Sequence, residues 1–264
     1  MPDISLVDTH AHLDMQHFDN DREEVIARAV KAGVNTIITV GIDLESSKKA
    51  MGLAGKHPQV LAAVGIHPQE SKQVNKEDIS TLEKMAKHPK VVAIGETGLD
   101  YYRDYAPHEK QIEVLKWQLE LADKMKLPVV IHCRQAEKDM LGILREWTSN
   151  KSKSEQSPGL IHCFSGSSDT VHQYLDMGFY ISLGGYIGYP SSRKDQGVIK
   201  EIPLNRLLLE TDAPFMPPQA YRGKRNEPVY VAITAGVLAN IISVPLETVA
   251  RETTQNAYRL FGWK

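Results

Sequence analysis

The sequence predicts an α/β fold, a single-domain (β/α)8 TIM barrel over residues 1–264 with two additional C-terminal helices, and three observations carry that prediction. Short, continuously apolar runs alternate with helix-spaced amphipathic stretches, the pattern of parallel strands buried on both faces. Eight such units fit into 264 residues, a usual length for one barrel of this kind. Most of the apolar runs end in a histidine or a carboxylate, and functional residues of such barrels collect at the C-terminal ends of strands. An open, doubly wound sheet is the alternative, because alternation alone does not prove closure.

Residues 4–9 are apolar and β-branched and predict the first strand; residues 19–32 follow with helical spacing through Val25, Ile26, Ala29 and Val30. Gly33 ends that helix as a C-terminal glycine. Residues 36–40 predict a buried strand, 45–56 a helix, 60–66 a strand, 76–87 a helix and 91–95 a strand. A long amphipathic helix over 107–126 leads to a strand over 128–131, then a helix over 135–147 and a strand over 159–161. A helix over 168–177, a strand over 179–183, a helical stretch over 193–201 and an eighth strand over 207–211 complete the pattern. Helices over 227–241 and 246–260 finish the chain. The polar stretch 149–157 predicts a surface loop between the fifth helix and the sixth strand, on the face opposite the strand C-termini.

With 42% hydrophobic and 24% charged residues the composition is that of a soluble globular protein, which removes any case for disorder. A formal net charge of −2 argues against a general nucleic-acid coat, so a polyanionic partner has to be held by a local basic patch or by metal ions. Cys133 and Cys163 each follow a histidine and form no CxxC pair, which suits a reducing cytoplasm. No basic segment precedes an apolar one at the N-terminus, and no apolar run approaches the roughly 18 residues of a membrane span. The expectation is a cytoplasmic chain with no membrane segment; a monomer is consistent with the sequence, which does not set an oligomeric state.

The first strand ends in His10 and His12, the third in His67, the fourth in Glu96, the fifth in His132, the sixth in His162 and the eighth in Asp212. In an extended segment i and i+2 point to the same side, so His10 and His12 can address one ion. A lone His-x-His says little, but metal-ligand residue types at six strand ends predict a metal centre. His10, His12, Glu96, His132, His162 and Asp212 exceed the needs of one tetrahedral zinc, so two divalent ions are favoured. Glu96 suits a bridging carboxylate. His10, His12 and Asp212 would complete one ion, and His132 with His162 the other. Such a centre activates water for hydrolysis, with Asp212 orienting or deprotonating that water. His67 is assigned to substrate binding or to support of the ligands rather than to ligation. Zinc, magnesium and manganese all remain open. Cys133 and Cys163 are expected to pack away from the ions, because successive strand residues face opposite ways.

The motifs Asp8-Thr9-His10-Ala11-His12, Gly65-Ile66-His67-Pro68, Gly95-Glu96-Thr97-Gly98-Leu99-Asp100, His132-Cys133-Arg134, His162-Cys163-Phe164-Ser165-Gly166, Glu210-Thr211-Asp212-Ala213-Pro214 and Arg225-Asn226-Glu227-Pro228 resemble those of the TatD family. These are metal-dependent deoxyribonucleases of the amidohydrolase-like barrel superfamily, and the match runs in order over essentially the whole chain. The resemblance implies a TIM-barrel phosphodiesterase acting on DNA, commonly from the 3′ end of single strands, and it carries the family's metal ligands onto the six residues named above.

A nuclease needs cations for phosphates and flat surfaces for unpaired bases. Arg103, Arg134, Arg193, Lys194, Arg222, Lys224 and Arg225 lie in or near loops after strands, interleaved with Tyr101, Tyr102, Phe164, Tyr186, Tyr189, Phe215 and Tyr221. Arg134 is the strongest phosphate ligand among them, two residues past His132; Arg225 and Tyr101 join it as expected substrate contacts. Glu227 is expected to anchor a loop arginine. The competing functions are a hydrolase of an amide, lactone or aminoacyl ester on the same two-metal site, and a non-catalytic protein that keeps a metal for structure. A narrow apolar pocket would favour the carbonyl substrate, an open groove lined with arginine and aromatic side chains DNA, and a site closed by protein ligands the structural metal.

Overall fold

The computed structural model describes residues 5–103, 105–149 and 158–263. Eight strands are joined in chain order, each parallel to the next: β1 (Leu6–Ala11), β2 (Val34–Val40), β3 (Val60–Val64), β4 (Val91–Asp100), β5 (Val129–Arg134), β6 (Gly159–Ile161), β7 (Tyr180–Leu183) and β8 (Leu207–Leu209). Between and after them run α1 (Arg22–Lys31), α2 (Leu44–Lys56), α3 (Lys76–Ala86), α4 (His108–Met125), α5 (Glu137–Ser149), α6 (Ser168–Asp176), α7 (Gln196–Glu201), α8 (Val231–Ile242) and α9 (Leu246–Phe261).

The sheet closes through the chain just past β8. Ala11 bridges Ala213 in parallel, Asp212 N donates to His10 O at 2.8 Å, and His12 N donates to Ala213 O at 2.7 Å. A closed barrel has no exposed edge to template aggregation, and closure here also brings the first and last ligand candidates together. The open-sheet alternative is thereby excluded.

Two apolar layers stabilise the barrel. Leu6, Ile37, Ala62, Ile94, Ile131, Ile181 and Leu209 pack outward against helix residues such as Val25, Leu115, Leu119, Leu144 and Val171. A second cluster takes Val7, Ile38, Leu61, Val92, Val130, Leu160, Tyr180 and Leu208, one from each strand, and contains no helix residue except Ala257, Leu260 and Phe261 from α9. It is the barrel interior, and the end of α9 plugs it. The same alternation along each strand sends one set of side chains to the helices and the other to the axis.

Several helices start where a side chain satisfies their free amides. Asp43 and Asn75 form capping boxes at α2 and α3, and Ser167 caps α6 through Thr170 N. Gly33 takes φ 89° after α1, as the sequence predicted. Where the bounds differ, local backbone decides. The helix expected from 135 starts at Glu137 because Gln135 is left-handed. Those expected from 193 and 227 open as 3₁₀ turns over Pro190–Asp195 and Pro228–Tyr230 before α7 and α8. Of the expected loop 149–157, residues 150–157 lie outside the described residues. Among the described residues no single helix is long and apolar enough to cross a membrane.

Candidate metal centre

β4 continues five residues beyond the run that announced it. Thr97 to Asp100 pair with Ile131 to Arg134 of β5, and the register slips between Ile94 and Thr97. Glu96 therefore sits at an irregularity inside β4, not at its end; such a bulge re-aims a side chain. β1 slips likewise between Asp8 and Ala11, across His10. Gly98, at φ 149°, has no room for a side chain: a Cβ there would fall 1.9 Å from His132 O.

Glu96 occupies the middle of the cluster. Its Oε2 lies 3.4 Å from His10 Nε2 and 3.8 Å from His12 Nε2, while its Oε1 lies 2.9 Å from His132 Nδ1, 3.7 Å from His67 Nε2 and 3.9 Å from His162 Nε2. Asp212 Oδ1 stands 3.4 Å from His12 Nε2, 3.9 Å from His10 Nε2 and 4.0 Å from His162 Nε2. Donor atoms of His10, His12 and Asp212 converge, as do those of His10, Glu96 and His162, and those of His67, Asp100 and His132.

These donors fit a divalent cation. His12 Nδ1 lies 2.8 Å from Val40 O, which can only accept, so in the neutral ring the proton is on Nδ1 and the Nε2 lone pair, the one a cation would take, faces inward, 3.2 Å from His10 Nε2. His10 Nδ1 is buried and without a partner among the described residues. Burial opposes charge on every group here; it prevails at His10 and His67, and the neighbours override it at Glu96, Asp212, His12, His132 and His162. The fields of His67 and His10 hold the Glu96 carboxyl well below the usual range, and His12 with His162 hold Asp212 down. Against the same desolvation, Asp212 pulls His12 up to about 9 and Glu210 pulls His162 up to about 10. The site is built to gather positive charge.

His67 behaves differently. Its Nδ1 accepts Gln69 N–H at 3.2 Å, which puts the proton of the neutral ring on Nε2, facing Glu96. Burial and the neighbouring His132 lower it to about 3. It offers a hydrogen-bond donor to the centre, where a ligand would need a lone pair.

The family model described as "TatD related DNase" matches residues 7–262. The chain belongs to the TatD family of metal-dependent hydrolases. A relative from Bacillus subtilis, named the uncharacterized metal-dependent hydrolase YabD, is 42% identical over 256 residues, which cover 97% of this chain and 98% of its own. The crystal structure of YjjV, a TatD homologue from Escherichia coli K12, matches with a TM-score of 0.92 at 33% identity, over 99% of this chain and 100% of that one. A TatD-family hydrolase from Entamoeba histolytica matches with a TM-score of 0.84 at 25% identity, over 97% and 98% of the two chains.

In this TatD-family barrel the other expected substrate contacts are held differently from one another. Arg134 lies exposed at the end of β5 with its guanidinium 3.8 Å above the Tyr102 ring. Tyr101 stacks on His108 at 3.7 Å and donates to Asp139 at 2.8 Å, so it ties the end of β4 to α4 and α5. Arg225 departs from its expected place: it pairs with Asp21 at 2.6 Å and with Glu227 at 3.0 Å, and it donates to His17 O at 2.6 Å. Its charge is satisfied by two carboxylates, one of them 204 residues away in the chain. Cys163 also departs from the alternation rule. β6 ends at Ile161 and Cys163 is left-handed at φ 47°, so its sulfur comes within 4.8 Å of donor atoms of His162 and Glu210. Both cysteines pack partly buried against the core.

Four buried residues escaped sequence reasoning. Glu210 Oε1 lies 2.9 Å from His162 Nδ1, and Asp100 Oδ2 lies 3.2 Å from His132 Nε2. Asp8 accepts from Thr211 N at 2.9 Å and Thr211 Oγ1 at 2.6 Å, joining β1 to the segment that carries Asp212. Asn226 donates to Thr211 O and Phe215 O across the left-handed Asp212 turn. All four stand inside the motifs already quoted; for Asp8, Asp100 and Glu210 the available signal was an acidic residue two to four positions from a ligand candidate, and Asn226 carried no such signal.

Proposed function

We propose that this chain is a deoxyribonuclease that hydrolyses phosphodiester bonds of DNA from the 3′ end of single strands. His10, His12 and Asp212 would hold one divalent ion, zinc, magnesium or manganese, and His132 with His162 a second, with Glu96 available to both. The observation that carries this reading is the division of Glu96, one oxygen toward His10 and His12 and the other toward His132 and His162. The family model's description as a DNase supports the substrate class.

Bound at these residues, the ions supply Lewis acidity and lower the pKa of water. The attacking water oxygen bonds to phosphorus as the ester P–O bond breaks; its proton passes to Asp212, which the neighbouring histidines keep ionised, and the sugar oxygen leaves with the bonding pair and takes a proton from solvent water to become a hydroxyl. His67 gives its Nε2–H to a phosphate oxygen. Arg134, at the edge of the centre, holds phosphate through its planar donors. We place the enzyme in the cytoplasm, where both thiols stay reduced.

The test is 3′-end-labelled single-stranded DNA with added magnesium, manganese or zinc, against the His10→Ala/His12→Ala double variant. Metal-dependent release of label by the parent chain alone is expected. No cleavage beyond the double variant would sink the nuclease reading.

A further inference from the structure

Arg134 is set apart from most of the loop cations by what it touches. Arg225 and Arg28 are neutralised by Asp21 and Glu227, and Arg103 donates to the Tyr105 hydroxyl at 3.1 Å. Among the described residues no acidic side chain bridges Arg134. Its guanidinium carbon lies over the Tyr102 ring, 3.8 Å from the ring centroid. A cation–π contact spends no N–H on an acceptor atom, so the fork that matches two phosphate oxygens stays available.

The ring beneath it is held to the metal centre by one carboxylate. Asp100 Oδ1 accepts from Tyr102 N at 3.0 Å and Arg103 N at 3.2 Å, which fixes the turn that presents Tyr102. Asp100 Oδ2 lies 3.2 Å from His132 Nε2 and accepts from Gln69 Nε2 at 2.7 Å. His132 and Arg134 are i and i+2 on β5, so their side chains leave the strand on the same side. His132, Asp100, Tyr102 and Arg134 form a loop of contacts that starts and ends on β5.

We propose that Tyr102 is a positioning residue: it holds Arg134 with its donors free, so that Arg134 clamps the phosphate next to the one being hydrolysed. This rests on the DNA reading above and deepens it, since it demands a substrate with at least two phosphates. Tyr102 is 53% exposed, which leaves the fold unaffected by its truncation.

Two measurements test it. With an oligothymidylate of eight nucleotides, Tyr102→Ala and Arg134→Lys should each raise KM about tenfold, the cost of one charged contact. In both, kcat should change far less, and Tyr102→Phe, which keeps the ring, should restore KM. Combining Tyr102→Ala with Arg134→Lys should add little to either alone, because both remove one clamp. The second measurement is calorimetric binding of thymidine 3′,5′-bisphosphate to the metal-loaded protein, which needs no turnover. About tenfold weaker binding in Tyr102→Ala and Arg134→Lys, but not in Tyr102→Phe, is expected. Failure of the parent chain to cleave oligothymidylate would count against the DNA reading alone. Equal bisphosphate affinity in the parent chain and Arg134→Lys, or a Tyr102→Phe variant as impaired as Tyr102→Ala, would overturn the clamp.

Discussion

Glu210 approaches His162 from behind at 2.9 Å, and Asp100 approaches His132 at 3.2 Å. Carboxylates in that position orient an imidazole and raise its basicity without touching the substrate. Glu210→Gln and Asp100→Asn should each cost about 10–100-fold in metal affinity or activity while the fold remains intact. Metal titration with circular dichroism as control checks this, and unchanged affinity in both would contradict the assignment. Asp21 sits in a different network, where hydrogen bonds from Arg225 and then Arg28 hold its carboxyl at about 2. A carboxyl depressed from its ordinary value of about 4 stabilises the fold above that pH, and loses the effect as pH falls toward the folded value. Asp21→Asn should therefore lower Tm at pH 6, and that deficit should shrink between pH 4 and pH 2. A deficit that stays constant across this interval would contradict the network. Residue types at strand ends were legible in the sequence because ligation restricts the choice to a few side chains. The pairing of Arg225 with Glu227 follows the anchoring role expected of that glutamate, but its pairing with Asp21 was not legible, because only the folded chain brings the two together.

The strands were legible as elements because a strand covered on both faces has to be apolar throughout. Their ends were less so. Thr97-Gly98-Leu99-Asp100 carries no apolar run, yet it pairs fully with β5, and the slip that frees Glu96 depends on how β4 meets β5. Neither can be read from β4 alone. α9 shows the opposite case, since its helical spacing was evident but its place was not. Leu260 is fully buried in the barrel interior, among residues drawn from all eight strands. Leu260→Ala should destabilise the chain by about 2–5 kcal/mol, measured by urea denaturation. A loss of less than about 0.5 kcal/mol, the range of surface changes, would mean that α9 does not plug the barrel.

At the scale of the whole molecule, ligand candidates come from within or just past β1, β4, β5 and β6 and from the segment just past β8, so cation binding and folding are thermodynamically linked. A divalent ion at 100 times its Kd adds about 2.7 kcal/mol, or about 5–10 °C in Tm for a chain of this size. Thermal scans with and without chelator should show that shift in the parent chain and lose it in His10→Ala/His12→Ala. An equal shift in both would place the ion elsewhere. The closure of the barrel also sets an order of events during synthesis. Ala11 waits for Ala213, and the interior stays uncapped until Leu260 emerges. At ribosomal rates of about 5–20 residues per second, the two edges of the sheet stay apart for about 10–40 s. Throughout that interval β1 has an unpaired edge, and no truncated product ending before Asp212 can assemble the ligand set. The complete set of ligand candidates and the closed sheet therefore arrive together, with the same last stretch of chain.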